Sequence, residues 1–326
     1  MRVLVTGGAG YIGSVAAAAL IERGDEVAVL DSLWRGHRRA VPPGAQFERV
    51  DLRDRPAVTA VFHRFRPDAV LHFGAATLVP ESVREPLLYY EVNICGSLNV
   101  IEAMLDSGAE RIVFSSTAAV YGEVQHLPIA ESDRKSPINP YGESKLVVER
   151  MLESTGHAHG LNWAALRYFN VAGATSVLGE DHDPETHVIP VALQVALGER
   201  PAFGIYGDDF PTPDGTAIRD YVHVVDLADA HLRALDRLDE PLGPMNLGTR
   251  DGVSVREIVS AVERVTGSPL PIRVEPRREG DPPALVADSA RAREILGWEP
   301  RHSTVDEMVA SAWAWMTRHP RGYEDR

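Results

Sequence analysis

The sequence predicts an α/β fold: a doubly wound parallel sheet followed by a smaller mixed α/β C-terminal lobe. Three observations carry this. Short β-rich runs alternate with helical patterns through the first half, which is how strands of a parallel sheet and their crossover helices are written. A glycine-rich turn separates the first strand from the first helix. Beyond residue 170 the alternation gives way to segments rich in Gly, Pro, Asp and Thr.

In order, residues 3–6 read as a strand, 12–23 as a helix, 26–30 as a strand and 48–50 as a short strand. Residues 69–73 and 111–115 are further apolar strands, with a helical stretch at 87–106 between them. A helix is expected over 140–152 and a strand over 163–167. Residues 171–187 and 204–220 carry turn formers and read as loops around a helix at 188–198. Helical patterns at 226–238, 255–266, 289–296 and 304–318 complete the chain. The expected division is a cofactor-binding domain over 1–170, with segments near 220–250 returning to it, and a lobe over 171–326 that holds mainly substrate.

Composition narrows the function. The 326 residues are 44% hydrophobic and 25% charged, a globular balance that can bury a core without disulfides or metals. A net charge of −14 argues against nucleic acid, whose binding rests on basic surface. The single cysteine, Cys95, allows no internal disulfide and no cysteine-based zinc site, and reads as a small core residue. No metal site is read from the sequence. No leader is recognised ahead of the first strand, and the longest apolar run, 15–21, is too short to span a bilayer. A cytoplasmic protein without membrane contact is expected.

The first turn carries the first chemistry. Gly8, Gly10 and Gly13 satisfy Gly-x-Gly-x-x-Gly between strand and helix, so the backbone can approach a pyrophosphate and offer it a helix N-terminus. Contacts are assigned to Gly7, Gly10, Tyr11, Ile12 and Gly13. The next strand ends in Asp31, 18 residues after Gly13, where an acid accepts from the adenosine ribose and repels a 2′-phosphate. This Rossmann-type arrangement points to NAD rather than NADP, with Arg35 and Arg38 nearby as the opposing feature. Asp51 and Leu52, after the third strand, are candidate adenine contacts.

The second constellation is catalytic. Asn139-Pro140 is a helix start, Asn as cap and Pro at the first position. Tyr141 and Lys145 then lie four apart on one helical face. A tyrosine is a poor base near neutrality; a close ammonium lowers its pKa. Only two of the 33 basic residues are lysines, Lys135 and Lys145, so a lysine retained here suggests a site that wants an ammonium. Thr117, at the end of the strand that begins at 111, can orient a substrate hydroxyl against Tyr141. Tyr141 takes the hydroxyl proton while hydride leaves the same carbon for the nicotinamide.

Several stretches carry a family likeness: Gly7-Gly8-Ala9-Gly10-Tyr11-Ile12-Gly13-Ser14, Leu71 to Ala76, Phe114 to Gly122, Asn139 to Lys145, and Leu166 to Ala174. Later come Ile205 to Thr216 with its Pro-Thr-Pro-Asp-Gly-Thr loop, Arg219 to His223, and Arg277-Arg278-Glu279-Gly280-Asp281. The chain resembles the extended short-chain dehydrogenase/reductase superfamily and, within it, the UDP-glucose 4-epimerase family. The resemblance implies reversible epimerisation of a UDP-hexose at C4, UDP-glucose with UDP-galactose, through a 4-keto intermediate with tightly bound NAD. It implies that Phe73, Ala75, Asn93, Ser115 and Tyr168 line the NAD site. It places Asn170, His187, Val188, Tyr206, Arg219, Arg278 and Asp281 with Thr117 around the UDP-sugar. It also suggests a homodimer through helices near 90–106 and 141–155.

The arginines make independent sense, because loop guanidiniums pair bidentately with a diphosphate; surface salt bridges are the plainer reading. Tyr206 can stack on uracil or pack on its own lobe. Two positions depart from better-known members: Thr77 stands where several carry a Lys, and Leu285 falls at the position that gates the sugar 2-substituent. The alternatives are C4-epimerases of UDP-GlcNAc, UDP-xylose/arabinose or UDP-glucuronate, and a sugar-nucleotide 4,6-dehydratase. Dehydratases place an Asp-Glu pair after the catalytic Thr; Ala118-Ala119 stand here. Rossmann-type redox sensors or scaffolds usually lose the Tyr or the Lys, and both are present.

Overall fold

A computed structural model describes residues 1–124, 126–278 and 280–324. Its centre is a seven-stranded sheet, all parallel, built from β1 (Arg2–Thr6), β2 (Glu26–Asp31), β3 (Gln46–Arg49), β4 (Ala69–His72), β5 (Arg111–Thr117), β6 (Asn162–Tyr168) and a late strand, Gly243–Leu247. The spatial order is 243–247, β6, β5, β4, β1, β2, β3. The chain winds outward in one direction through β2 and β3 and in the other from β4. The switch falls between β1 and β4, and a crevice opens there beyond the strand ends.

Strand alternation sets the two covered faces. Val3 and Val5 point into one core with Val15 and Ala16 of α1 (Tyr11–Arg23) and Leu227 and Leu235 of the helix Val224–Asp236. Leu4 points into the other, with Phe62 of α2 (Arg55–Phe65), Met104 of the helix Gly96–Ser107 and Val148 of the helix Pro140–His159. The sequence reading passed over α2, although Asp54 caps it on Ala57 N–H and Pro56 opens it.

The helical stretch at 87–106 is not one regular helix. Pro86–Tyr89 is α-helical, Tyr90–Cys95 is a π-turn, and Gly96–Ser107 resumes the α-helix. The wider turn buries Asn93, Gly96 and Ser97 and swings Cys95 outward. Cys95 is therefore exposed, which corrects the core placement read from its type.

The remaining elements form a second core over the crevice. Here Ile189 and Leu193 of the helix Val188–Ala196 meet Phe203 and Ile205 of the strand Phe203–Tyr206. Ile258 and Val262 of the helix Val255–Thr266 and Met308 and Val309 of the helix Val305–Arg318 complete it. Both of these last helices start with capping boxes, Ser254 with Glu257 and Thr304 with Glu307, which fix their first turns. The segments read as loops also hold short strands. Phe203–Tyr206 pairs with Ile272–Glu275, and Ile218–Arg219 sits between Val253–Ser254 and Ala284–Leu285. No helix among the described residues is long and apolar enough to cross a membrane.

Candidate active site

The crevice at the switch point is a cavity of about 950 Å³. Gly7, Gly10, Tyr11, Ile12, Gly13, Asp31, Asp51, Leu52, Phe73, Ala75, Ser115, Tyr141 and Tyr168 line it on the sheet side. Thr117, Asn170, His187, Arg219, Asp281 and Leu285 line it toward the second core, and Thr77 also faces it.

The glycine turn is shaped for a close ligand. Gly7 has φ 69°, and a Cβ there would lie 2.6 Å from Gly74 N. A Cβ on Gly13 would lie 2.3 Å from Gly7 O, so only glycine lets the helix approach the turn this closely. No side chain caps α1, so its first N–H groups and positive dipole end face the cavity. Asp31 accepts from Ala9 N–H at 3.1 Å and Leu33 N–H at 2.8 Å, and burial pushes its pKa up against those bonds. Of the two arginines that opposed NAD, Arg35 is paired with Glu81 at 2.6 Å and Arg38 lies over the Phe47 ring. Arg35 Nη1 is buried without a hydrogen-bond partner beside the crevice. An uncapped helix end, a cradle that admits no Cβ and an orphaned guanidinium nitrogen all fit a dinucleotide.

The catalytic floor is made by β5 and the helix Pro140–His159. Asn139 caps the helix by accepting from Gly142 N–H at 2.8 Å. Gly142 must be glycine, because a Cβ would stand 2.5 Å from Ala119 O. This close docking brings the first turn against Thr117. The Thr117 hydroxyl accepts from Ala119 N–H at 3.1 Å, and both it and Tyr141 line the crevice. Burial pushes Tyr141 up to about 12, with the neighbouring Thr117 hydroxyl opposing.

Lys145 lies beneath, 2% exposed, outside the cavity wall. Its Nζ donates to Ser115 O at 2.8 Å and sits 4.8 Å from the Phe114 ring centre and 6.0 Å from that of Tyr141. Burial pulls Lys145 down to about 7, with Glu149 opposing. The sequence reading expected an ammonium near enough to lower the phenol. Instead desolvation wins on both groups, favouring the neutral phenol and the neutral amine.

Other expected residues are placed differently from one another. Ser115 and Tyr168 share a hydrogen bond on the cavity wall. Asn93 is 1% exposed; it accepts from Ala76 N–H at 2.7 Å and donates to Ala76 O at 3.0 Å and Ser144 Oγ at 2.9 Å. It clasps the loop after β4 to the catalytic helix instead of facing the cavity. Asn170 donates to Asp220 O at 3.1 Å. Arg219 pairs with Asp281 and donates to Ile218 O at 2.7 Å. Arg278 stacks on Tyr206, 3.9 Å from its ring centre, outside the cavity wall. Val188 starts its helix without lining the cavity, and Glu279 lies outside the described residues.

Two clusters escaped the sequence reading. Under the floor, Arg167 is 1% exposed and grips Glu149 through Nε at 2.9 Å and Nη2 at 2.5 Å. Ser116 donates to Glu149 at 2.5 Å, and Arg167 Nη1 donates to Tyr121 at 2.9 Å. The available signal was a charge inside an apolar strand, since a buried charge needs a partner. In the crevice wall, Glu180, His182, Glu185 and His187 gather. There the carboxylates hold His187 well above its usual pKa, and Glu180 falls to about 2.

The family model described as "NAD dependent epimerase/dehydratase family" matches residues 3–248. The UDP-glucose 4-epimerase of Lacticaseibacillus casei is 49% identical over 330 residues, covering 100% of both chains. A solved UDP-glucose 4-epimerase superposes with a TM-score of 0.97 at 47% identity, over 99% of this chain and 100% of that one. The UDP-glucose 4-epimerase of Bifidobacterium longum, solved in complex with NAD+ and UDP, gives 0.94 at 38% identity, over 99% of this chain and 100% of that one.

Proposed function

The chain belongs to the NAD dependent epimerase/dehydratase family, and on that premise we propose that its crevice inverts a UDP-hexose at C4, interconverting UDP-glucose and UDP-galactose. The observation that carries this is the floor itself. Thr117 and Tyr141 line the crevice together, and the residues after Thr117 are Ala118 and Ala119, which have no acid or base for eliminating water.

NAD bound against the glycine turn would supply a reversible hydride acceptor for C4. Gly7, Gly10, Gly13, Asp31 and the open end of α1 hold it there. Thr117 orients the C4 hydroxyl, and Tyr141 Oη takes its proton as the C4–H bond is lost. Lys145, fixed on Ser115 O, supplies the nearby positive charge that a tyrosinate requires. Inversion then requires the 4-keto sugar to present its opposite face, so the diphosphate must be held while the ring turns. Arg219 and Asp281 in the wall, with Asn170 and His187, are assigned to that task, and Tyr206 and Arg278 to its outer edge. Tyr141 returns the proton at the end, and net redox change is zero.

Leu285 is half-buried in the wall, where it meets the sugar 2-substituent in this reading. The room left there decides whether UDP-GlcNAc is also accepted, which is the second reading. We assign residues 1–170, with segments near 220–250, to NAD and 171–326 mainly to the UDP-sugar. A cytoplasmic homodimer is part of the same reading. Leu87, Leu98 and Leu105 are 75%, 44% and 40% exposed along the helices near 90–106, as a covered face would leave them in a single chain.

Incubating the purified protein with UDP-galactose and no added NAD tests the reading. UDP-glucose is the expected product. A 4-keto-6-deoxy product, or no turnover with any C4 epimer pair, would defeat it.

A further inference from the structure

Glu180, His182, Glu185 and His187 fall within one short stretch before the helix Val188–Ala196. Each offers one donor atom, and these atoms all lie within 4.8 Å of one another. His187 Nδ1 is 2.8 Å from Glu180 Oε1 and 3.0 Å from Glu185 Oε1. His182 Nδ1 is 3.1 Å from Glu180 Oε1 and 3.8 Å from Glu185 Oε2. A tetrahedral ion with bonds of about 2.0–2.1 Å to nitrogen and oxygen sets its donors about 3.3 Å apart. The four distances bracket that edge.

Burial and bonding point the same way. The carboxylate side chains of Glu180 and Glu185 are only 8% and 5% exposed. His182 Nδ1 is itself buried, and it makes no hydrogen bond although Glu180 Oε1 stands 3.1 Å away. The separation suits two atoms facing one ion, while the angles do not suit N–H···O. Two neutral imidazoles and two carboxylates carry a charge of about −2, the complement of a divalent cation.

We propose that these four side chains form a binding site for a zinc-class divalent ion, a site separate from the hydride chemistry. The ion staples residues 180–187 into one rigid piece of wall. That wall divides the crevice from a second cavity of about 780 Å³ lined by Glu180, His182, Glu185, Arg200 and His319. The second cavity is the route of entry. Coordination through Nδ1 leaves Nε2 of the half-exposed His187 ring as a donor.

The test needs no sugar nucleotide, so it is independent of the epimerase reading. Full-length protein without a histidine tag is stripped with chelator, dialysed and titrated calorimetrically with zinc sulfate. Metal content is then measured by atomic emission. About one zinc per chain is expected, resistant to excess Mg²⁺, which prefers an all-oxygen shell. His182→Gln and Glu180→Gln should each weaken zinc binding by more than about 100-fold while the fold, followed by circular dichroism, is kept. If His182→Gln does not fold, Glu180→Gln decides alone. Absence of zinc uptake, or uptake that both variants leave unchanged, overturns the proposal and leaves a proton on His187 as what holds the carboxylates together.

Discussion

The floor of the crevice and its rim solve different problems. On the floor the polar groups beneath the reacting pair are committed within the protein: Lys145 to Ser115 O, Asn93 to Ala76 and Ser144, Glu149 to Arg167 and Ser116. On the rim the arginines hold nearby acids and loop backbone, Arg219 with Asp281 and Ile218 O, Arg277 with Asp209, while Arg278 lies stacked on Tyr206. A floor of this kind holds its geometry through the reaction. A rim of this kind exchanges partners, which suits a site that must keep a diphosphate while the attached sugar turns.

The largest effect should come from the floor. Tyr141→Phe removes the hydroxyl assigned to take the C4 proton, and kcat should fall by about 10²–10⁴-fold with KM little changed. Initial rates with UDP-galactose measure this. A variant with full kcat would remove the base from the mechanism.

Next is the support beneath. Glu149→Ala strands the buried Arg167 guanidinium and should cost about 3–5 kcal/mol in denaturant unfolding. Glu149→Leu combined with Arg167→Met should lose much less than either single change, because no charge is left unpaired. If the double variant is as unstable as the single one, packing rather than the ion pair is what matters there.

These two regions were also unequally legible in the sequence. Strand alternation at Val3, Leu4 and Val5, the glycine turn and the Asn139-Pro140 cap before Tyr141 are local signals, and local backbone physics decides them. The Arg167–Glu149 grip and the Arg219–Asp281 pair join residues 18 and 62 positions apart, and no local rule links them. The two-residue strands Val253–Ser254, Ile218–Arg219 and Ala284–Leu285 exist only because distant segments meet to pair. The π-turn at Tyr90–Cys95 breaks the helical period, which misplaced Cys95 and hid the clasp made by Asn93. The lysine raised by its scarcity was found; the direction of its pKa was not, because desolvation depends on the packed surroundings.

That direction gives a pH test of the floor. Burial pulls Lys145 down to about 7 in the folded chain, against its ordinary 10.5 when unfolded. Between those values Lys145 adds a rise of stability with pH of at most about 1.4 kcal/mol per unit, whereas His187, held well above its usual pKa by its carboxylates, adds a fall over part of the same range. Above about 10 the raised tyrosines, Tyr141 and Tyr121 among them, add a fall as well, because the unfolded chain loses those phenol protons first. Urea unfolding of nucleotide-free protein across this range measures the slope. Lys145→Met should remove the rising part, leaving stability to fall more steeply with pH, and an unchanged slope would show that Lys145 is not the group that carries it.

The rim should respond most weakly, and its two arginines should differ. The Arg219 side chain is 13% exposed and lines the crevice, whereas Arg278 lies open on Tyr206. Arg219→Ala should raise KM for the UDP-sugar by about 10–100-fold through lost charge-assisted hydrogen bonds. Arg278→Ala, losing an exposed stacking contact and a solvated charge, should raise it by less than about tenfold. In both, kcat should hold within a few-fold, because neither residue touches the C4 hydroxyl. Should Arg278→Ala prove the more damaging, the loop that carries it closes over the diphosphate during turnover, and the rim would be a moving part rather than an open edge.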